Sequence, residues 1–129
     1  MTLNDADRSK IAEYLKGRHI PAGIGNEEAA CSIAAINLAL TGRLTDKIPD
    51  CMSEVIGNWI IATQDAMPDH MRNSEEWRAL IPDAAGTGRE HEDKRGAIIT
   101  DWMWSTVLPQ AQVATTRRSA SKAVTVRRP

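Results

Sequence analysis

The side chains best equipped for chemistry lie in one short stretch, residues 85–95, which reads AGTGREHEDKR. A glycine-rich loop before a helix can hold phosphate with backbone N–H groups, and Thr87 and Arg89 would add polar contacts. A phosphate loop, however, needs Lys-Ser/Thr after its second glycine and a strand before it; here the residues are Arg-Glu and no strand is predicted. Gly86 and Gly88 equally suit a turn, with Thr87 capping a helix that begins near Arg89. The sequence favours the helix start and leaves a small phosphate-ligand enzyme using the GTGR loop as one alternative.

Metal-ligating and nucleophilic side chains are present, but their spacing does not define a site. None of the short spacings typical of zinc motifs occurs among the cysteines and histidines, which are Cys31, Cys51, His19, His70 and His91. Neither cysteine has a histidine nearby in sequence to activate it. We expect two free thiols, with Cys31 packed in an apolar helix and Cys51 more exposed. The sequence predicts no catalytic residue, no bound metal and no cofactor.

Charge is distributed unevenly along the chain, although the net charge is only −1. Residues 1–109 carry −6, whereas residues 110–129 carry +5 and include Arg117 and Arg118. Such a tail can contact nucleic acid through phosphates, or can serve only to solubilise the chain. The acidic remainder would suit a basic, nucleic-acid-handling protein surface. A nucleic-acid-binding regulator that uses the tail therefore stays open as an alternative.

Two tryptophans point more directly to a protein partner. Trp102 and Trp104 lie about 200° apart on an ideal helix, so one core cannot easily bury both. Either the helix is covered on two sides or one tryptophan lies on an exposed patch, and exposed tryptophan is a frequent interface anchor. The predicted partner-binding residues are Trp102, Trp104, Arg89, Arg117 and Arg118.

Helical spacing of apolar residues and helix-ending residues predict five helices and no strand. With their caps, the helices cover residues 4–17, 26–42, 53–67, 73–82 and 89–108. Asn26 and Ser53 should cap the second and third helices, and Asn73 or Ser74 the fourth. Pro82 and Pro109 should end the fourth and fifth, so that no proline lies within a helix.

The composition of the helices predicts how they are arranged. The first has a narrow apolar stripe and should be peripheral, whereas the alanine-rich second helix should lie at the centre. Gly57 is expected where the third helix crosses the second closely. Asn37 flanks the apolar stripe of the second helix and would need a hydrogen-bonding partner if buried.

Together these patterns predict an all-α protein, a compact bundle of four or five helices with a disordered basic C-terminal tail. Residues 1–109 should form a single helical domain and residues 110–129 the flexible tail. No apolar run approaches the ~18 residues needed to cross a membrane. The polar N-terminus is unlike a signal peptide, so a cytoplasmic location is expected.

The block from about residue 20 to 109 resembles a family of uncharacterised phage and prophage proteins. The pieces that carry the resemblance are EEAACSIAAINLALTG, IPDCMS, WRALIPDAAGTGR and DWMWSTVLP. Longer members continue into an alanine-rich region, where this chain has its Arg/Ser/Thr tail. The resemblance implies a small phage-encoded accessory protein in a bacterial host cell and transfers no site residues. The leading expectation is a non-enzymatic protein that binds another macromolecule, most simply a protein, and inhibits a host or anti-phage defence protein.

Overall fold

The computed structural model describes residues 3–114 and 116–117. Over these residues the protein is all-α and contains no strand, as predicted. Six α-helices are followed by a π-helical turn: α1 (Asp5–Leu15), α2 (Ser32–Thr41), α3 (Glu54–Ala66), α4 (Asp69–Arg72), α5 (Glu75–Ala85), α6 (Glu92–Trp102) and the turn Met103–Val107. The predicted count of four or five helices was therefore slightly low. None of the described helices combines the length and apolar character needed to cross a membrane.

The chain divides into two compact units, Met1–Glu92 and Asp93–Pro129. The first contains α1 to α5. The second contains the rest of α6, the π turn and further helical residues at 108–114 and 116–117. The predicted domain over residues 1–109 and the predicted flexible tail stay predictions, and residues 115 and 118–129 of that tail lie outside the described residues.

Several helix ends lie where the sequence predicts them because their hydrogen bonds are local. The Asn4 side chain accepts from the N–H of Asp7, whose carboxylate accepts in return from the N–H of Asn4, at 2.9 and 3.2 Å. Ser53 and Ser74 each accept from the N–H three residues later and cap α3 and α5. Gly42 ends α2 in the left-handed conformation, with φ of 74°.

The start of α2 differs from the prediction. Asn26 does not cap the helix; its side chain accepts from the N–H of Ala29 at 2.9 Å within a tight turn. The cap is instead Cys31, whose Sγ accepts from the N–H of Ala34 at 3.4 Å. The helix is nevertheless central, as predicted, because every residue at positions 32–37 is buried.

The predicted peripheral position of α1 is wrong. Ile11 is fully buried and Leu15 is 2% exposed, and α1 packs against both α2 and α5. A narrow apolar stripe is enough for central packing when every residue in it is used.

Gly57 does allow a close approach, but not to the alanines of α2. A Cβ at this position would lie 2.8 Å from two carbon atoms of Ile48, which belongs to the loop before α3. The glycine therefore makes room for a loop side chain rather than for a crossing helix.

Two prolines lie within helical segments, contrary to prediction. Pro82 is buried inside α5, which continues to Ala85. Pro109 is followed by helical residues 110–114, and the π turn comes just before it. The π turn contains Ser105, whose carbonyl would clash with the ring of Pro109 in a regular α-helix.

Buried polar side chains tie the loops of the first unit to its helices. Asn37 is buried, and its amide donates to the carbonyls of Thr45 and Lys47 at 2.7 and 2.8 Å, so the partner it was predicted to need is present. Asn73 does not form the predicted cap; its side chain accepts from the N–H of Ile20 and donates to the same residue's carbonyl. These bonds hold irregular backbone against the helices.

Candidate protein-binding surfaces

The GTGR loop uses its polar groups within the fold. The Arg89 guanidinium donates to the carbonyls of Met52, Ile48 and Pro49 at 3.1 to 3.4 Å. It also forms an ion pair with Glu54 at 3.4 Å. Because these acceptors already engage the guanidinium, the geometry gives no support to a phosphate held by Arg89, or to a role for this side chain in binding a partner.

The rest of the stretch joins the end of α5 to the start of α3. Thr87 does not cap α6; its hydroxyl donates to Ala84 at 2.8 Å and accepts from the N–H of Ser53 at 2.9 Å. The Glu92 carboxylate accepts from the Ser53 hydroxyl at 2.5 Å and from the N–H of Val55 at 3.2 Å. Ser53 is fully buried, so this hydroxyl–carboxylate pair is a structural connection rather than a nucleophile open to substrate.

The thiols and histidines form no reactive centre in the described part of the chain. Cys31 and Cys51 are free and buried, so the expectation that Cys51 is the more exposed thiol is wrong. Burial raises the pKa of both thiols, which keeps them protonated and poorly nucleophilic at neutral pH. Among the described residues, no group of three or more His, Cys, Asp or Glu side chains is placed to hold a metal ion.

An apolar cavity of about 240 Å³ lies between α3 and α5. Its walls are formed mainly by Ile56, Trp59, Ile60, Trp77, Leu80 and Ile81. Trp77 is nearly buried, whereas Trp59 and Leu80 are 37% and 57% exposed at its mouth. Small-molecule pockets usually measure ~300–1,000 Å³, so this smaller cavity suits one large apolar side chain better than a whole ligand.

A buried hydrogen-bond network makes Trp77 a fixed wall of this cavity. The indole Nε1 donates to the hydroxyl of Ser32 at 2.9 Å, and that hydroxyl donates to Gln64 at 3.0 Å. Gln64 also accepts from the N–H of Ser32 at 3.1 Å. Each polar atom of this chain therefore has a partner, which fixes the orientation of the indole.

A second, shallower depression adjoins the cavity and shares Trp77 and Leu80 with it. It measures about 380 Å³ and is also lined by Met67, Met71 and Glu76. Met71 is 47% exposed. We call the two adjoining depressions the α3–α5 groove. One carboxylate lies in each part, Asp83 in the cavity and Glu76 in the shallower depression.

Sequence reasoning did not identify this groove. Helical spacing places Trp59 on the apolar face of the third predicted helix and Leu80 on that of the fourth, without showing that either is exposed. Their exposure depends on how α3 and α5 pack, which local spacing does not show. Trp77, Leu80 and Ile81 on α5 have the i, i+3, i+4 spacing of a single buried stripe, so the sequence carried no signal for the groove on that helix.

The second unit exposes the predicted tryptophans. No residue of α6 or of the π turn is buried in the described chain. Trp102 is 44% exposed and Trp104 is 71% exposed, so both tryptophans, not one, reach solvent. Arg117 is exposed on the helical residues that follow, and Arg118 lies outside the described residues.

Comparison of the chain with protein-family models, curated proteins and solved structures finds no match. The resemblance to phage and prophage proteins therefore stays a prediction.

Proposed function

We propose that this protein is a non-enzymatic accessory factor that acts by binding another protein, with Trp104 as the central contact. The proposal is supported above all by the solvent exposure of α6 and the π turn. Trp104 is 71% exposed and Ile98 is 68% exposed, in a stretch where no described residue of α6 or the π turn is buried. Solvated helices of this kind gain most of their stability by packing an apolar face against something else.

The geometry of the first unit supports a binding rather than an enzymatic role. The side chains best suited to chemistry, Arg89 and Ser53, are engaged in structural hydrogen bonds. Exposed tryptophan, by contrast, is over-represented among the residues that dominate interface energies. A cytoplasmic, phage-type protein that inhibits a host or anti-phage defence protein is the biological form of this proposal that the sequence resemblance favours.

The proposal is tested by affinity capture from bacterial cytoplasm with the full chain as bait. Wild type should enrich a specific protein, which is then purified so that its affinity can be measured by calorimetry. Trp104→Ala should weaken that affinity by about 30-fold, because interface anchors contribute about 2 kcal/mol or more. Leu44→Ala is the matched control, since Leu44 is an exposed apolar residue of the first unit and should leave the affinity unchanged.

Two results would contradict the proposal. One is that wild type enriches nothing beyond what the Trp104→Ala bait enriches. The other is that nuclease treatment of the lysate abolishes capture, which would assign the interaction to nucleic acid held by basic residues such as Arg117.

A further inference from the structure

We infer that the protein binds the surface of an anionic lipid bilayer through one side of the helical stretch 92–114 and through the basic residues that follow it. This goes beyond the proposed function, because it uses Ile98, Trp102 and Val113 and leaves Trp104 aside. It concerns the surface of a bilayer alone, since none of the described helices is long and apolar enough to cross one.

Three exposed apolar side chains lie on one side of this helical stretch. Ile98, Trp102 and Val113 are 68%, 44% and 50% exposed. On an ideal helix, Trp102 lies about 40° and Val113 about 60° around the axis from Ile98. The π turn between them rotates Val113 by at most about one residue position, roughly 100°, so the three side chains stay within about 80° of one another.

The spacing of these three residues along the helix suits an extended flat surface. From Ile98 to Val113 the axis rises by about 22 Å, or some four turns. Helices that lie in the plane of a membrane interface bury one apolar side along their length in this way. Tryptophan is favoured there, because its ring is apolar and its N–H can still be hydrated at the level of the headgroups.

Basic residues lie at both ends of this side of the helix. Lys94 comes four residues before Ile98 and so extends the same side. At the other end, residues 110–129 contain five basic side chains and no acidic one. The first of these, Arg117, is four residues after Val113, so the continuity of the chain alone keeps the cluster near the surface that the apolar side chains contact. Basic clusters beside an amphipathic helix bind anionic headgroups, and each Lys or Arg adds to the affinity.

Nucleic acid is the other polyanion that these basic residues could contact. Residues 110–129, however, contain no aromatic side chain that could stack on bases. A phosphate backbone would also leave Ile98, Trp102 and Val113 in water. A bilayer offers anionic headgroups together with an apolar boundary, so one surface covers both the basic and the apolar residues.

Co-sedimentation of the full chain with lipid vesicles tests the inference. Wild type should bind vesicles in which about a third of the lipid is phosphatidylglycerol, and should bind pure phosphatidylcholine vesicles more than about tenfold more weakly. Added salt should weaken the binding, because exposed charges are screened. Replacing Arg127 and Arg128 together by glutamine removes two of the five charges after Val113 and should weaken binding by about 30-fold.

The apolar contribution is tested with a matched pair of variants. Trp102→Ala should weaken binding to the anionic vesicles by about tenfold, because the indole no longer enters the headgroup region. Trp104→Ala is the control, since the same substitution two residues along the chain falls on the far side of the helix and should leave binding unchanged. Lipids with brominated chains should quench tryptophan emission in wild type and Trp104→Ala, and quench it less in Trp102→Ala. Circular dichroism checks that each variant keeps its helix content.

The inference is overturned if wild type binds neither kind of vesicle, if it binds both equally tightly, or if Trp104→Ala weakens binding as much as Trp102→Ala. Binding to a short DNA duplex without binding to vesicles would assign the basic residues to nucleic acid and overturn it as well. Trp102→Ala should lose vesicle binding and keep partner capture, whereas Trp104→Ala should do the reverse, so failure of this inference and failure of the proposed function are distinguishable.

Discussion

Replacement of the buried Arg72 by methionine should destabilise the first unit by about 3 kcal/mol. Arg72 is 5% exposed, and its guanidinium donates to the carbonyls of Ile20 at 2.8 Å, Gln64 at 3.2 Å and Met67 at 2.7 Å. A fourth bond joins it to Asp69 at 2.6 Å. These contacts hold the linker after α1 against the end of α3.

The size of the expected loss of stability depends on which of the three carbonyl oxygens keep another hydrogen-bond donor when Arg72 is replaced. The Ile20 carbonyl still accepts from the side chain of Asn73 at 3.0 Å, and the Gln64 carbonyl from the N–H of Met67 at 3.3 Å. The Met67 carbonyl loses the charged donor, which costs about 1–3 kcal/mol for a buried acceptor. Loss of the other two charge-assisted bonds adds about 1 kcal/mol. Methionine preserves much of the packing of the arginine stem, so little is added by a cavity.

Urea denaturation followed by circular dichroism measures the effect. With a slope of roughly 2 kcal/mol per molar urea, a loss of 3 kcal/mol shifts the midpoint by about 1.5 M. Asp69→Ala is the control, because Asp69 is 67% exposed and its ion pair should contribute less than about 1 kcal/mol. If Asp69→Ala cost as much as Arg72→Met, the ion pair rather than the carbonyl contacts would be the main contribution, and the reasoning would be refuted.

Two further predictions concern packing and protonation. Gly57→Ala should lower the free energy of unfolding by about 1–3 kcal/mol because the new methyl group would clash with the side chain of Ile48. In an Ile48→Ala background, which removes that side chain, the loss of stability should be smaller. Equal losses in both backgrounds would exclude this contact as the cause. Burial raises the pKa of the Cys31 and Cys51 thiols, so these thiols ionise at a lower pH in the unfolded chain than in the folded protein. The thiols' contribution to stability should therefore be complete below the unfolded pKa of about 8.5 and be lost as pH rises through the folded pKa. Stability curves of wild type and of a variant with both cysteines replaced by alanine should diverge above that pH, and parallel curves would show the inference to be wrong.

The helical class and several helix ends could be predicted because their causes lie within a few residues. Asn4, Ser53 and Ser74 cap their helices through bonds to the N–H three residues later, and that spacing is visible in the sequence. Gly42 ends α2 because glycine adopts a left-handed conformation readily. Local geometry also indicated that one core could not easily bury both Trp102 and Trp104, about 200° apart on one helix, but it did not show that both would be exposed.

The remaining features were decided by contacts between residues distant in sequence. Asn26 is the exception, because its side chain accepts from the nearby N–H groups of Glu28 and Ala29; a tight turn and a helix cap share this spacing, and α2 begins only after Cys31. Pro82 ends a helix by local rules, yet packing keeps it inside α5. The sequence around Arg89 is compatible with a phosphate contact, but in the structure its guanidinium donates hydrogen bonds to carbonyls of the loop before α3, including that of Met52.

The sequence by itself determined the helical class, the capped helix ends and the opposite charges of the two parts of the chain. Tertiary structure alone decided the α3–α5 groove, since Trp59 and Leu80 are exposed only because α3 and α5 pack with a gap between them. The physical reason is the range of the interactions. Caps and turns depend on bonds spanning three or four residues, whereas a groove depends on where separate helices meet.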